Sequence, residues 1–127
     1  MITAKPTSAL NIKRGDIYLV DFNPPKGVEH RAMVGSEIMK RRPAVVLSRD
    51  SINQFRRTVI VVPLSSAPSP APVFAVSVPS AGEHSVAVCD QLTAVNKTTR
   101  VLKHLGTLSL ADLRQIEQGV AVALQLT

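Results

Sequence analysis

The 127-residue sequence contains no tryptophan, one cysteine and only four aromatic residues. Because 45% of the residues are nevertheless hydrophobic, the core is predicted to be aliphatic. Cys89 has no second cysteine to pair with, which excludes an internal disulfide framework and a multi-cysteine zinc or iron–sulfur site. The length predicts one domain, which is large enough to fold on buried apolar surface alone.

Long apolar runs are also missing. No segment approaches the ~20 apolar residues that a spanning helix needs, and the first residues lack the hydrophobic stretch of a signal peptide. We therefore expect a cytoplasmic protein without a membrane partner. Gly-rich phosphate loops, G-x-S-x-G and H-x-x-x-H motifs are absent, and the three histidines are scattered, so neither a metal nor another cofactor is expected.

Positive charge is what the sequence has in excess. Fifteen Lys and Arg against nine Asp and Glu give a net charge of +6. The segment from Lys26 to Arg57 holds eight of the basic residues and three of the acidic ones. A basic surface fits a polyanionic partner, either nucleic acid or an anionic membrane. A solvated basic face that only aids solubility would produce the same composition.

Hydrophobic patterning predicts a mainly β protein. β-rich runs bounded by Pro, Asn, Ser and Gly predict five or six short strands, with helical turns at Asp50–Phe55. The predicted strands are Asp16–Phe22, Pro43–Ser48, Thr58–Leu64, Val73–Val78 and Ser85–Cys89, the last continued by Gln91–Val95.

The C-terminal part changes to helical spacing. Leu113, Ile116, Val120 and Leu124 form one apolar face behind a capping signal at Ser109, which predicts a helix over about 109–126. The expected architecture is a small β-barrel or strongly curved sheet with this helix packed on it. Residues 1–13 are predicted to be a loose tail and 14–127 the domain.

Polar residues stand where the predicted strands end. Arg42 precedes the second strand, Ser65 follows the third, and Asp90 and Gln91 follow the strand that ends at Cys89. Neighbouring strands would unite these ends in one site, where a guanidinium fork suits phosphate. Taken singly, each residue also fits an ordinary structural role as a surface cation, a turn residue or a cap.

Five sequence pieces follow one another in a recognisable order. They are RGDIYLVDFNP (14–24), GSE (35–37) with RPAVVLS (42–48), VPLS (62–65), VAVCDQL (86–92) and G-x-L-S (106–109) before the last helix. In this order the chain resembles the MazF/PemK family of toxin endoribonucleases, from Arg14 to Leu126.

The resemblance implies an SH3-like barrel with a C-terminal α-helix, the CcdB/PemK-type toxin fold. It also implies a cytoplasmic, homodimeric toxin of a bacterial type II toxin–antitoxin pair that cuts single-stranded RNA, usually mRNA, at short sequences without a metal. The expected partners are single-stranded RNA and a cognate acidic antitoxin that covers the basic surface between Lys26 and Arg57.

Catalytic roles follow from matching the family's motifs. The resemblance implies that Arg42 stabilises the charge developing on the phosphate, while Ser65 hydrogen-bonds a phosphate oxygen. Glu37, in the polar connection before Arg42, is the candidate general base. Asp90, Gln91 and Arg41 are expected to bind the RNA.

Two features leave alternatives open. The stretch Lys26–Val34 looks inserted, and Glu29 within it offers a second match to the loop carboxylate beside Glu37. The fold is also shared by CcdB toxins, which poison DNA gyrase without catalysis through a helix end and a tryptophan that this chain lacks. A catalytically inactive RNA-binding relative is the third alternative.

Overall fold

The computed structural model describes residues 11–23, 40–66 and 74–127. Within these residues, seven strands and two α-helices follow along the chain. They are β1 (Asp16–Asp21), β2 (Arg41–Val46), α1 (Asp50–Phe55), β3 (Thr58–Ser65), β4 (Ala75–Ser77), β5 (Val86–Val88), β6 (Thr93–Asn96), β7 (Val101–Thr107) and α2 (Leu110–Ala123). The prediction of a mainly β fold with a C-terminal helix is confirmed, and the chain has more strands than the five or six predicted.

The strands form one antiparallel sheet in the order β4-β5-β3-β2-β1-β7. β3 is its branching strand, because β5 pairs with its last two residues and β6 pairs with its first four on the same edge. Among the described residues β7 and β4 stay unpaired on their outer edges, so the sheet is strongly curved but not closed. The expected small barrel or strongly curved sheet is confirmed as an open, barrel-like sheet.

A short turn between β6 and β7 bends the sheet back on itself. The N–H of Arg100 donates to the carbonyl of Asn96 at 3.0 Å, and the carbonyl of Arg100 accepts from the N–H of Asp21 at 2.9 Å. This turn brings the first half of β3 close to the end of β1. The inner side of the bend is filled by aliphatic side chains.

The two faces of the sheet bury two separate cores, because successive strand residues point to opposite sides. The helix core lies between the sheet and α2. Its members are Ile17, Val45, Val62, Leu64, Val78, Ala87, Cys89, Leu108, Leu113, Ile116 and Val120. The inner core lies within the bend and contains Ile12, Tyr18, Val20, Ala44, Val46, Val59, Val61, Val95 and Val101. Both are built from aliphatic residues, apart from Tyr18 and Cys89.

α2 forms as its capping signal predicts. The Ser109 hydroxyl accepts the N–H of Asp112 at 3.1 Å, and Leu113, Ile116 and Val120 are buried. The helix ends at Ala123, three residues before the predicted end, so Leu124 is 53% exposed rather than packed. No helix in the described part of the chain is long and apolar enough to cross a membrane.

Two strand predictions differ from the structure. Gln91–Val95 does not continue β5, because a 3-10 turn at Cys89–Gln91 ends that strand and β6 starts anew at Thr93. β7 was not predicted, since four consecutive exposed residues in it, Leu102 to Leu105, leave no buried alternation to detect.

Candidate functional site

Arg42 in β2 and Ser65, the last residue of β3, lie at the same end of the antiparallel β2–β3 pair. Ala44 faces Pro63 in the register of these strands, and the same register extended by two residues sets Arg42 opposite Ser65. Side chains in such directly opposed positions have Cβ atoms about 5 Å apart. On its other side Arg42 is paired with Val20 of β1. β2 lies between β1 and β3 in the sheet, so Arg42 stands on the strand between them.

Both residues extend the rows of side chains that line the inner core. Ala44 and Val46 on β2, and Val61 on β3, are fully buried there. Strand alternation places Arg42 and Ser65 on the same face, and both are half-buried. The apolar rows thus end in a cation and a hydroxyl at the rim of the core. Arg42 lies within β2, not before it as the sequence suggested.

The neighbouring end of β1 is held by a carboxylate. Asp21 lies 3.9 Å from Nε of Arg41 and 4.0 Å from Nη1 of Arg100. The Arg100 guanidinium also donates to the backbone carbonyls of Asp21, at 3.2 Å, and Asn23. Asn23 in turn accepts the N–H of Lys40 at 2.9 Å through its side chain. These contacts tie the end of β1 to the start of β2.

Two arginines contact Asp21, and only one of them, Arg41, was predicted from the sequence to belong to the site. Arg41, predicted to bind RNA, has a side chain that is 64% exposed. Arg100 was missed, because it follows a turn without a motif and only its charge could have indicated it. Its side chain is 21% exposed and is bound to the end of β1. Arg100 therefore positions the end of β1 beside Arg42.

Asp90 and Gln91 lie along the other edge of β3. They belong to the 3-10 turn between β5, which pairs at Ser65, and β6, which pairs from Val61 onward. The turn is therefore displaced from Ser65 by three or four residues along β3, roughly 10 Å. The sheet brings Arg42 and Ser65 together and holds Asp90 and Gln91 apart from them.

The two candidate loop carboxylates lie outside the described residues. This applies to Glu37 and to its alternative, Glu29, together with the whole stretch Lys26–Val34.

The described basic residues between Lys26 and Arg57 form two groups, not one surface. Lys40, Arg41 and Arg42 lie at the start of β2. Arg49, Arg56 and Arg57 flank α1, beyond the opposite end of β2. A partner that covered the whole segment would therefore have to extend along the full β2–β3 hairpin.

The nucleophilic and imidazole side chains play no visible part in this site. Cys89 is 1% exposed, and burial, with a smaller effect of Asp90, raises the pKa of its thiol to about 11. The prediction that Cys89 is buried is confirmed. His84 is exposed, and His104 stacks edge-on against Tyr18 with ring centroids 5.1 Å apart. In residues 11–23, 40–66 and 74–127, no three His, Cys, Asp or Glu side chains are grouped so that they could hold a metal ion.

Polar contacts on the far face attach α2 to the sheet. Nη2 of Arg14 lies 2.6 Å from Glu117, and its Nε donates to the Leu47 carbonyl at 3.0 Å. Hydrogen bonds from Arg14 and then Arg114 lower the pKa of Glu117 below its ordinary value. Hydrogen bonding to Ser80, more than offsetting burial, likewise lowers the pKa of Asp112.

Comparison with known protein families identifies the chain. Residues 13–124 match the family described as the PemK-like, MazF-like toxin of type II toxin–antitoxin systems. The chain belongs to this family. Among its relatives, the endoribonuclease MazF9 of Mycobacterium tuberculosis is 29% identical over 124 residues, which cover 91% of this chain and 98% of the relative. The MazF/PemK resemblance seen in the motif order is therefore confirmed.

Solved MazF structures share the fold. MazF of Deinococcus radiodurans superposes with a TM-score of 0.76 at 21% identity, covering 91% of this chain and 98% of that one. A MazE–MazF structure from the same organism gives a TM-score of 0.72 at 21% identity, with 93% and 99% covered. At this identity the likeness establishes the curved sheet with its C-terminal helix.

Proposed function

We propose that this member of the MazF/PemK toxins is a sequence-specific, metal-independent endoribonuclease acting on single-stranded RNA, chiefly mRNA. Family membership supports a toxin role, and the relative from M. tuberculosis carries the name endoribonuclease. The single observation that carries the proposal is the β2–β3 register: it pairs Ala44 with Pro63 and, continued by two residues, sets Arg42 opposite Ser65. Together they offer a fixed cation and a hydroxyl at one exposed rim.

RNA supplies its own nucleophile in the proposed reaction. The 2′-OH loses its proton and attacks the adjacent phosphorus, forming the O2′–P bond. The P–O5′ bond breaks, and the departing 5′-oxygen takes up a proton. The products are a 2′,3′-cyclic phosphate and a 5′-OH. The protein must therefore accept one proton, donate one, and stabilise the additional charge on the phosphorane.

Arg42 suits the charge-stabilising role. A guanidinium stays protonated at neutral pH and presents a planar fork to phosphate oxygens. Preorganised positive charge at a developing dianion stabilises the transition state by about 3 kcal/mol or more. Because Arg42 is held between two strands, it needs little reordering when the phosphate arrives. Ser65, opposite it, donates a hydrogen bond to a phosphate oxygen.

The remaining residues accept a proton or bind the RNA in this proposal. Glu37, or Glu29 in its place, is the proposed general base, since arginine is a poor proton acceptor. Asp90 and Gln91, roughly 10 Å from Ser65 along β3, contact bases next to the scissile phosphate through their hydrogen-bonding side chains. Arg41 binds the phosphate backbone.

The proposed protein partners are a second copy of the chain and an acidic antitoxin. Four large apolar side chains are exposed along and beyond α2, and homodimer formation would cover such side chains: Leu110, Val122, Leu124 and Leu126. Sedimentation at micromolar concentration tests this, and particles of only 13.6 kDa would contradict it. A mycobacterial endoribonuclease of similar fold, solved in complex with its cognate antitoxin, supports a partner of this kind.

Cleavage in the absence of divalent metal tests the proposed activity. Purified protein incubated with mixed-sequence RNA in EDTA should cut at a short recurrent sequence and leave 2′,3′-cyclic phosphate and 5′-OH ends. DNA of the same sequence should remain intact. A strict Mg²⁺ requirement, or 3′-OH ends, would contradict the proposal.

A further inference from the structure

The corner between α1 and β3 exposes an aromatic ring among cations. Phe55, the last residue of α1, is 82% exposed, more than any other large hydrophobic side chain in the described residues. Arg56 and Arg57 follow it directly, and Arg49 precedes α1; all three are exposed. Together with Lys97, these residues are called the Phe55 patch.

The arginines of the Phe55 patch are not neutralised within the described part of the chain. No carboxylate of residues 11–23, 40–66 or 74–127 lies within 4 Å of any of them. The nearest acid in sequence, Asp50, accepts the N–H of Arg14 at 2.7 Å. Four arginines elsewhere have a carboxylate within 4 Å, namely Arg14, Arg41, Arg100 and Arg114. Within the described residues, the positive charge at this corner thus has no carboxylate partner.

Lys97 gives the patch a fixed position. Its Nζ donates to the carbonyls of Asn53 at 2.6 Å and Gln54 at 3.4 Å, and its N–H donates to the carbonyl of Arg57 at 2.9 Å. The β6–β7 turn is therefore fastened to the end of α1. The ammonium group thus holds the helix end beside Phe55 in place.

We propose that the Phe55 patch is a second RNA-binding surface that holds single-stranded RNA outside the cleavage site. A base stacks on Phe55 and neighbouring phosphates contact Arg49, Arg56 and Arg57. Aromatic rings interleaved with cations are how proteins bind single strands without reading sequence. An acidic peptide would use the arginines but has no need of an exposed ring, so the ring favours RNA as the occupant.

The patch is separated from the cleavage site by the length of one strand. β3 runs from Thr58 beside the patch to Ser65 at the rim, about 23 Å. A short RNA centred on Arg42 cannot span that distance, whereas a long one can. The proposal rests on the proposed RNA cleavage, and RNA length separates the two surfaces experimentally.

Direct binding to two RNAs tests the patch. Both contain the mapped cleavage sequence with a 2′-deoxynucleotide at the cut, and one is extended on both sides by unstructured single strand. The wild-type protein should bind the long RNA more tightly. Phe55→Ala should lower the long-to-short affinity ratio by about fivefold or more, and Phe55→Trp should restore it. The pair Arg56→Gln and Arg57→Gln should reduce the salt slope for the long RNA by about 1.4.

Matched controls lie on β7. Leu105→Ala removes an exposed apolar side chain and Lys103→Gln an exposed charge, and both should keep the wild-type ratio. An unchanged ratio in Phe55→Ala would overturn the proposal. So would variants that weaken binding of an acidic antitoxin peptide while the RNA ratio stays the same. Failure of the wild-type protein to cut even the short all-ribose RNA would instead contradict the proposed function.

Discussion

The helix core and the inner core are built from the same aliphatic residues but end differently. The helix core is covered by α2, which polar contacts attach to the rest of the chain: Ser109 caps it, Asp112 binds Ser80, and Glu117 binds Arg14. The inner core opens at a rim where its side-chain rows end in Arg42 and Ser65. The face of the sheet that packs against α2 thus contributes to stability, whereas the face that lines the inner core carries the proposed catalytic residues at its rim. Substitutions on the two faces should therefore affect different measurements.

Arg42→Ala should produce the largest effect and confine it to activity. Loss of the preorganised cation should lower the single-turnover cleavage rate by roughly 100-fold or more. Arg42→Lys should recover little of it, because an ammonium cannot reproduce the bidentate fork. Lys103→Ala, an exposed cation on β7, serves as control. Cleavage by Arg42→Ala at the wild-type rate would show that Arg42 takes no part in the reaction.

Gly119→Ala should do the opposite and reduce stability. A Cβ at this buried position would lie 2.6 Å from Sγ of Cys89 and 3.2 Å from Val76. We expect the free energy of unfolding to fall by about 1–3 kcal/mol, despite alanine's better helix propensity. Denaturant titration measures this.

A double-mutant cycle identifies the contact responsible. In a Cys89→Ala background, where Sγ is gone, the added cost of Gly119→Ala should drop by at least half. An equal cost in both backgrounds would show that the close packing of α2 on Cys89 does not determine it.

Ser65→Ala should have a smaller effect on the rim than Arg42→Ala. Losing one hydrogen bond to the phosphate corresponds to about 1–1.5 kcal/mol, or roughly tenfold in rate. Ser65→Thr should retain activity because the hydroxyl remains. Ser66→Ala, which changes the exposed neighbour, is the matched control. If Ser66→Ala lowered the cleavage rate as much as Ser65→Ala, Ser65 would have no specific role.

Acid should lower the stability that α2 gains from its contact with Arg14, because Glu117 loses its negative charge on protonation. Its pKa is held below the ordinary 4.5 by hydrogen bonds from Arg14 and Arg114. The stabilisation is therefore complete above about pH 4.5 and is lost as the pH falls through the lowered pKa. Because the pair is partly exposed, the effect should not exceed about 1 kcal/mol.

Unfolding measured from pH 6 to pH 3 reports this loss. Glu117→Gln should flatten the acid limb of the stability curve, and Glu83→Gln, a highly exposed carboxylate, should not. If both variants kept the wild-type acid limb, the Arg14–Glu117 contact would not be a source of stability.

Short sequence patterns predicted the strands and helices whose formation depends on residues close by in the sequence. The buried run of β3, the turn at α1 and the Ser109 cap of α2 each have a sequence pattern that survives in the fold. β7 has no such pattern, because its exposed residues obtain their strand conformation from pairing with β1. That pairing is a long-range contact that no window of the sequence contains.

The candidate site was predictable only in part for the same reason. Arg42 and Ser65 border the buried runs of two neighbouring strands, so strand patterning alone places them near a common edge. The position of Asp90 and Gln91 depends on the 3-10 turn that shifts the chain from β5 to β6 along β3. The split of the basic segment into two groups depends on the direction of β2. Neither is encoded in local spacing.

The identity of the nucleophile tests most directly whether the rim of the inner core serves RNA cleavage. Two RNAs should be compared that differ only in one 2′-hydroxyl, immediately 5′ of the mapped cut. The all-ribose RNA should be cleaved in EDTA, while the 2′-deoxy RNA should bind with similar affinity and remain intact. Cleavage of the 2′-deoxy RNA at that same phosphate would contradict the mechanism assigned to Arg42 and Ser65.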